Sequence, residues 1–206
     1  MDAIRKFHNK VKKDLIVEWV KPKSYVLDCG CGRGGDFWKW KSVNARLVAV
    51  DPDSESLKEA AERAHTAHFG VWLMEGTIKQ AVESGPFDVV CYNFSIQYER
   101  ENIDSIKKSV KPGGYLIGVT PEKSLVENTK SPDVFGNTFE IINDTLWMNV
   151  VDGPFYSDGP KQEPLLEKDS FIQKLCPEFK CLIWKPISNE NNLSSIYAQF
   201  VFLRNE

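Results

Sequence analysis

Apolar residues in the first 120 positions follow two spacings, one typical of helices and the other typical of buried strands. Val11, Leu15 and Trp19 share one helical face within residues 8–20, and Pro22 ends that helix. The pattern predicts strands at residues 25–28, 47–50, 87–93 and 115–119, and an apolar patch at residues 71–74. It predicts further helices that begin at residue 36 and that span residues 56–65 and 103–110. This alternation indicates an α/β fold with a mostly parallel sheet, covered by helices on both faces.

The rhythm changes after Thr120, where Pro, Asn, Asp and Gly become frequent. Further strands are predicted at residues 138–142, 146–151, 180–184 and 196–203, and a further helix at residues 171–175. We predict that residues 121–168 are an insertion after the fifth strand, folded over the sheet edge as part of the substrate pocket. The chain is then a single domain, residues 1–206, whose sheet has about seven strands.

The net charge argues against one class of protein, the general nucleic-acid binder. The 206 residues carry 26 Lys and Arg against 29 Asp and Glu, which leaves a net charge of −3. Basic residues nevertheless cluster on the first helix and after a glycine-rich turn. Such a local rim can hold a few phosphates, or it can be a solvated helix face.

Cysteine usage and hydropathy indicate a protein with reduced thiols and without a membrane segment. The five cysteines include no C-x-x-C pair and no accompanying His ligands, so no zinc site is predicted. Reduced thiols suit the cytosol or the nucleus. The polar N-terminal segment does not resemble a signal peptide, and no apolar run is long enough to span a bilayer. We therefore expect a soluble protein with no membrane partner.

Residues 26–36, which read VLDCGCGRGGD, are predicted to form a strand that enters a glycine turn and continues into a helix. Gly30, Gly32 and Gly35 match G-x-G-x-x-G, whose glycines let the backbone approach a ligand closely. Asp51 closes the next strand, where a carboxylate accepts hydrogen bonds from ribose hydroxyls. These features alone leave open both S-adenosylmethionine and a dinucleotide such as NAD or FAD.

Three observations favour S-adenosylmethionine. Asp28 precedes the glycine turn, where a carboxylate can face an ammonium group but would repel a pyrophosphate. Residues 87–94, FDVVCYNF, resemble the fourth strand of class I methyltransferases, and residues 110–118, VKPGGYLIG, resemble the turn before their fifth strand. The resemblance implies a Rossmann-like class I methyltransferase fold, with S-adenosylmethionine as cofactor, S-adenosylhomocysteine as product and no metal.

Narrower motifs resemble one branch of that class, the enzymes that methylate N7 of the mRNA cap guanine. Residues 7–16, FHNKVKKDLI, are similar to the entry helix of this family, F-N-N-x-x-K-x-x-L-I, and residues 34–40 are similar to its G-G-D-x-x-K-W. Further matches are Thr120-Pro121, Phe135-Gly136-Asn137, EPLL at residues 163–166 and IYAQFVF at residues 196–202. The resemblance covers almost the whole chain. Virus-encoded capping enzymes carry compact versions, so the chain is a candidate for the methyltransferase module of one.

The resemblance implies a role for each residue that matches a motif position of the family. The implied cofactor-binding residues are Lys12, Asp28, Gly30, Gly32, Asp36, Asp51, Glu75 and Asn93. The implied substrate-binding residues are Asn9, Arg33, Phe94, Gln97, Tyr98, Tyr156, Glu163 and Tyr197. Glu163 is expected to accept hydrogen bonds from guanine N1–H and the exocyclic amine. Lys and Arg side chains near the glycine turn are expected to meet the triphosphate.

The chain departs from the family's pattern in places. The family has F-x-x-H-Y where residues 94–98 read FSIQY, and Gln97, unlike histidine, cannot be protonated. The family's adenine-contacting A-D-S reads MEGT at residues 74–77, so either Glu75 serves with a shifted register or the adenine amine bonds to the backbone. Tyr156 is the candidate for a cap-pocket tyrosine, although its neighbours match poorly.

No proton-transfer residue is expected, because guanine N7 carries a free lone pair at neutral pH. Alignment of N7, methyl and sulfur is then the main task, and proximity of this kind contributes roughly 7–11 kcal/mol in favourable cases. Two alternatives stay open: a methyltransferase for another small molecule or a protein, which would not need Glu163, and a non-catalytic subunit that keeps the fold.

The resemblance also implies partners and a compartment. The implied substrate is the capped 5′ end of an RNA. Guanylyltransferase and triphosphatase modules, on the same or another chain, are further candidate partners. The expected compartment is the cytoplasm for a viral enzyme and otherwise the nucleus.

Overall fold

The computed structural model of the chain describes residues 2–151 and 159–206. The first part consists of α1 (Asp2–Trp19), β1 (Tyr25–Cys29), α2 (Phe37–Ser42), β2 (Arg46–Asp51), α3 (Ser54–Thr66), β3 (Val71–Glu75), α4 (Ile78–Ala81), β4 (Phe87–Asn93), α5 (Ile103–Ser109) and β5 (Val110–Pro121). The elements predicted from the apolar spacing are present, and the apolar patch at residues 71–74 forms β3. The Pro-Gly-Gly turn lies within β5, where the register with β4 shifts.

The second part contains α6 (Lys123–Asn128), β6 (Thr138–Ile142), β7 (Thr145–Asn149), β8 (Lys161–Pro164), α7 (Lys168–Leu175), β9 (Phe179–Pro186) and β10 (Tyr197–Arg204). Strands β6, β7 and β8 pair antiparallel in a small sheet of their own, whereas β9 and β10 return to the main sheet. A hydrophobic cluster joins Phe139 and Leu146 of the small sheet to Val119 and Tyr197 of the main one. The small sheet thus packs on the main one, and the insertion of residues 121–168 within one domain stays a prediction.

Among the described residues, the main sheet has seven strands in the order β3-β2-β1-β4-β5-β10-β9. Strands β1 to β5 are parallel, and β10 is antiparallel to both of its neighbours. Successive strand residues face opposite sides, so Leu27 packs with α4, α5 and α7 while Val26 packs with α1, α2 and α3. The predicted α/β fold with a mostly parallel sheet, apolar on both faces, is thereby confirmed.

The strand order places one crevice at the carboxyl ends of β1 and β4. From β1 the chain crosses to β2 on one side, whereas β4 lies on the other side of β1. Helices leave the sheet in opposite directions at such a switch point, and ligands of open α/β sheets bind there. The glycine turn after β1 and Asn93 at the end of β4 therefore share this crevice.

Candidate cofactor and substrate site

The glycine turn after β1 is held in shape by its backbone conformation and by the Asp51 carboxylate. Gly30 and Gly32 have φ angles of 70° and 51°, a left-handed region that favours glycine. A Cβ at Gly30 would lie 2.5 Å from the Cβ of Ser95. The backbone N–H of Gly32 donates to Asp51 Oδ2 at 2.7 Å, so the carboxylate at the end of β2 fixes the turn.

Asp28 lies beneath the turn and is 3% exposed. Trp40 Nε1 donates a hydrogen bond to its Oδ2 at 2.9 Å. Burial, and then the neighbouring Asp36 carboxylate, raise the pKa of Asp28 to about 7. Asp28 is therefore poised between its acid and its carboxylate near neutral pH, and a nearby cation would favour the charged form.

Asp36, just before α2, is the centre of a charged cluster. Its Oδ1 contacts Lys12 Nζ at 2.8 Å and Lys39 Nζ at 2.6 Å, and its Oδ2 accepts a hydrogen bond from Asn93 Nδ2 at 2.9 Å. Lys39 Nζ also donates to Asn9 Oδ1 at 3.0 Å. Although burial opposes it, the two ammonium groups lower the pKa of Asp36, which therefore stays ionised.

A cavity of about 610 Å³ opens between α1, the glycine turn and the end of β4. The predicted site residues that line it are Asn9, Lys12, Gly30, Gly32, Arg33, Asp36, Asn93, Phe94, Glu163 and Tyr197. Cavities of this size are typical of small-molecule sites. We call the part formed by Gly30, Gly32, Asp36 and Asn93 the glycine end.

Three aromatic rings lie at the other part of the cavity. His8 stacks on Phe94 with ring centroids 5.2 Å apart, and Tyr197 meets Phe94 edge-on at 5.1 Å. His8 Nε2 lies 2.9 Å from Ser194 Oγ. Burial, and then the Lys12 ammonium, lower the pKa of His8 to about 4, so this ring is neutral at pH 7.

Glu163 on β8 adds a carboxylate to these rings. Gln97 Nε2 donates to Glu163 Oε2 at 3.1 Å, and both Glu163 and the rings line the cavity. Burial raises the pKa of Glu163, against the opposing effect of the Gln97 hydrogen bond. We call His8, Phe94, Glu163 and Tyr197 the aromatic end, because they present flat apolar faces beside one hydrogen-bond acceptor.

Five further predicted residues lie off the cavity wall. Asp28 and Asp51 lie buried behind the glycine turn. Glu75, exposed at the end of β3, is the strand-register partner of Asp51 on β2. Gln97 is fully buried behind Glu163. Tyr98 is 58% exposed and does not line the cavity. Tyr156 lies outside the described residues.

The cavity wall also contains residues that are not among the predicted site residues. Arg5 and His8 line the cavity from α1, and Arg63 lines it from α3. Positions 5, 8, 9 and 12 are spaced three and four apart, which places them on one helical face. That spacing, anchored on the predicted residues Asn9 and Lys12, was a signal for Arg5 and His8. No local signal pointed to Arg63.

Within residues 2–151 and 159–206, no group of three or more His, Cys, Asp or Glu side chains is arranged to hold a metal ion. Over the same residues, no helix has the length and apolar character needed to cross a membrane.

Residues 2–153 match the model of a protein family described as the mRNA (guanine-N(7))-methyltransferase domain. The chain is similar to the mRNA cap guanine-N(7) methyltransferase from Saccharomyces cerevisiae, at 28% identity over 60% of this chain and 33% of the relative. It is also similar to the mRNA cap guanine-N(7) methyltransferase from Caenorhabditis briggsae, at 28% identity over 85% of this chain and 53% of the relative. The chain thus spans between a third and about half of the length of these relatives.

Solved structures with low sequence identity share the fold. An S-adenosylmethionine-dependent methyltransferase from Clostridium acetobutylicum superposes with a TM-score of 0.68 at 18% identity, covering 98% of this chain and 92% of that one. A glycopeptide N-methyltransferase in complex with S-adenosylhomocysteine superposes with a TM-score of 0.67 at 12% identity, covering 96% and 89%. These likenesses confirm a class I methyltransferase fold.

Proposed function

The chain belongs to the mRNA (guanine-N7)-methyltransferase domain family, and we propose that it transfers the methyl group of S-adenosylmethionine to N7 of the guanosine cap of an RNA. The observation that carries this proposal is the cavity, which joins the glycine end to an aromatic end containing Glu163. One cavity thereby offers a place for a cofactor and, next to it, a place for a flat base that donates hydrogen bonds.

The residues of the glycine end fit the cofactor. Asn93 Oδ1 is buried at the cavity wall and has no hydrogen-bond partner within the described ranges, so it offers an acceptor to an ammonium group. Gly32 leaves open space where a side chain would project. We assign Lys12, Asp28, Asp36 and Asn93 to the amino-acid part of the cofactor, and Asp51 and Glu75, at adjacent strand ends, to its adenosine.

The aromatic end fits a guanine. We place the base against Phe94 and Tyr197, whose rings meet edge-on at 5.1 Å, because aromatic groups attract one another beyond simple burial. Glu163 accepts from guanine N1–H and the exocyclic amine, two donors that only guanine presents side by side. Asn9, Gln97 and the exposed Tyr98 belong to the same proposed substrate side, Gln97 through its contact with Glu163.

The residues act by holding the two reactants in line. When bound, S-adenosylmethionine supplies a methyl group on a positive sulfonium, from which the methyl leaves readily. Phe94, Tyr197 and Glu163 orient the guanine so that its N7 lone pair points toward the glycine end. No residue has to remove a proton, because N7 carries none, and alignment contributes roughly 7–11 kcal/mol in favourable cases.

Only part of the basic first helix can meet the triphosphate. Arg5 and Lys12 line the cavity, whereas Lys10 pairs with Asp14 on the outer face. Lys12 is shared with the Asp36 carboxylate, so it is largely neutralised. We therefore assign the triphosphate to the arginines at the rim: Arg5, Arg33 and Arg63.

Methyl transfer from labelled S-adenosylmethionine to GpppG-RNA, ApppA-RNA and uncapped RNA tests the proposal. Labelling of GpppG-RNA alone, in the guanine base, is the expected result. Labelling of protein or of a small molecule instead would support another methyltransferase. Tight S-adenosylhomocysteine binding with no transfer to any acceptor would support a non-catalytic subunit.

The partners follow from the same proposal. The capped 5′ end of an RNA is the substrate, and guanylyltransferase and triphosphatase modules would supply that cap on the same or another chain. The relatives come from a yeast and a nematode, which supports a nuclear site of action, and a viral origin would place the reaction in the cytoplasm.

A further inference from the structure

We propose that Gln97 is a positioning residue, which holds the Glu163 carboxylate from behind and acts on the base through it rather than by touching it. The inference rests on the proposed cap function. Gln97 lies on the short 3-10 helix Ile96–Glu99, is 0% exposed and is absent from the cavity wall. Direct contact between this amide and a bound base would therefore require the wall to open.

The hydrogen bonds of the amide are already in use. Gln97 Nε2 donates to Glu163 Oε2 at 3.1 Å and to the backbone oxygen of Phe94 at 3.2 Å. Its Oε1 accepts from Thr120 Oγ1 at 3.4 Å. A glutamine amide has two N–H donors, and both are directed at groups that only accept. If the Gln97 amide were flipped, its Oε1 would face the oxygens of Glu163 and Phe94. These partners therefore determine the orientation of the amide.

This arrangement links the two residues that hold the base. Through Nε2, Gln97 ties the Glu163 carboxylate on β8 to the Phe94 backbone at the end of β4. Phe94 has a φ of 65°, so its ring is directed by an unusual backbone conformation next to that bond. Loss of the donor would leave the half-buried carboxylate free to rotate and easier to protonate, since burial already raises the pKa of Glu163.

A glutamine at this position keeps the donor at every pH. Histidine, which the family pattern F-x-x-H-Y has here, changes its charge near neutral pH. The nearest charged or titratable group is Glu163, across the hydrogen bond. His8 and Lys12 lie against the Phe94 ring, Glu99 lies on the same short helix and is bonded to Asn102, and Glu122 follows β5 and is bonded to Ser124. Glu163 alone among them is hydrogen-bonded to the amide.

The discriminating variant is Gln97→Glu, which has nearly the same shape. Below the raised pKa of the resulting carboxylate pair, a shared proton replaces the N–H donor. Above it, two adjacent negative charges repel and displace Glu163. We expect the KM for GpppG-RNA to rise about tenfold or more between pH 6 and pH 8.5 in Gln97→Glu, with little change in the wild type.

Two further variants separate positioning from folding. Gln97→Leu removes the donor and should raise the KM for GpppG-RNA by about ten- to a hundredfold, with S-adenosylhomocysteine affinity unchanged. Gln97→His should recover most of that loss, because an imidazole N–H can donate to the same carboxylate. Gln162→Glu is the matched control: it adds the same charge one residue from Glu163, on the exposed opposite face of β8, and should change neither the KM nor its pH dependence.

Melting temperature and calorimetric titration with S-adenosylhomocysteine identify variants that remain folded. A folded Gln97→Leu with a wild-type KM would overturn the inference, as would a flat pH profile of KM in Gln97→Glu. A wild-type chain that binds S-adenosylhomocysteine but does not methylate GpppG-RNA would instead contradict the proposed function. The two failures are therefore distinguishable.

Discussion

The two ends of the cavity are built from different parts of the chain. The glycine end consists mainly of one turn, whose backbone is fixed by Asp51 and by contact with Ser95. The aromatic end takes single side chains from α1, β8, the end of β4 and the start of β10. We infer that substitutions at the glycine end act through backbone strain, whereas substitutions at the aromatic end remove individual contacts. The difference predicts which changes affect the fold and which affect recognition alone.

The largest effect is expected at the glycine end, from Gly30→Ala. The new Cβ would lie 2.5 Å from the Ser95 Cβ at a φ of 70°. Left-handed strain and the clash together should lower the free energy of unfolding by about 2–5 kcal/mol and abolish S-adenosylhomocysteine binding. Denaturant unfolding and calorimetry measure both. Gly35→Ala is the control, because its Cβ would meet only Arg63 at 3.9 Å; equal stability of the two variants would contradict the comparison.

Asp28→Asn should remove a pH dependence of stability that the wild type shows. The folded pKa of about 7 lies above the ordinary value of 3.8, so the folded state holds its proton longer than the unfolded state. Stability is therefore full below pH 4 and falls as the pH rises to about 7.

Relative to Asp28→Asn, the wild type should lose roughly 2–4 kcal/mol of unfolding free energy between pH 4 and pH 8. Parallel stability curves measured without cofactor would refute this. In the same variant, S-adenosylhomocysteine binding should weaken by about 1.5–3 kcal/mol, because a charged hydrogen-bond acceptor is lost.

Glu163→Ala should change recognition while leaving the glycine end intact. A lost hydrogen bond to a charged group suggests about 1.5–3 kcal/mol, or roughly ten- to a hundredfold in kcat/KM for GpppG-RNA. Glu163→Gln should also be impaired, because its amide offers one acceptor oxygen and no charge. Unchanged S-adenosylhomocysteine affinity serves as the internal reference. A wild-type kcat/KM for GpppG-RNA in Glu163→Ala would show that other residues recognise the guanine.

Arg33→Ala should have the smallest effect. The Arg33 side chain is 55% exposed and pairs with Glu59 at 3.3 Å, so its contribution to stability is small. A phosphate contact would show as a decrease of about one in the slope of log affinity against log salt for capped RNA. The same slope in variant and wild type would make Arg33 a solvated surface residue.

The glycine end could be largely predicted from the sequence. Gly30, Gly32 and Asp36 lie within one short segment, and the strand-turn-helix pattern around them is a local signal. What the sequence did not indicate is that Asp36 joins Lys12, Lys39 and Asn93 in one cluster, since those contacts depend on how α1 and β4 are packed. The cofactor-binding roles of the residues at the glycine end remain proposals.

The aromatic end could be predicted only in part. The resemblance pointed to Phe94, Glu163 and Tyr197, and the structure brings all three to one cavity. His8 was not singled out as a site residue, although it stacks on Phe94. Gln97 was expected beside the substrate but lies buried behind Glu163, because the short helix after β4 turns the amide inward.

The sequence by itself determined the strands, the helices and the glycine turn, because apolar spacing and glycine conformation act between residues close along the chain. Tertiary structure alone decided the pairing of Gln97 with Glu163, 66 positions apart, and the stacking of His8 on Phe94. Contacts at such separations depend on strand order and on where β8 and α1 are placed. Many partners would satisfy one buried amide or one ring equally well, so only the packed fold selects among them.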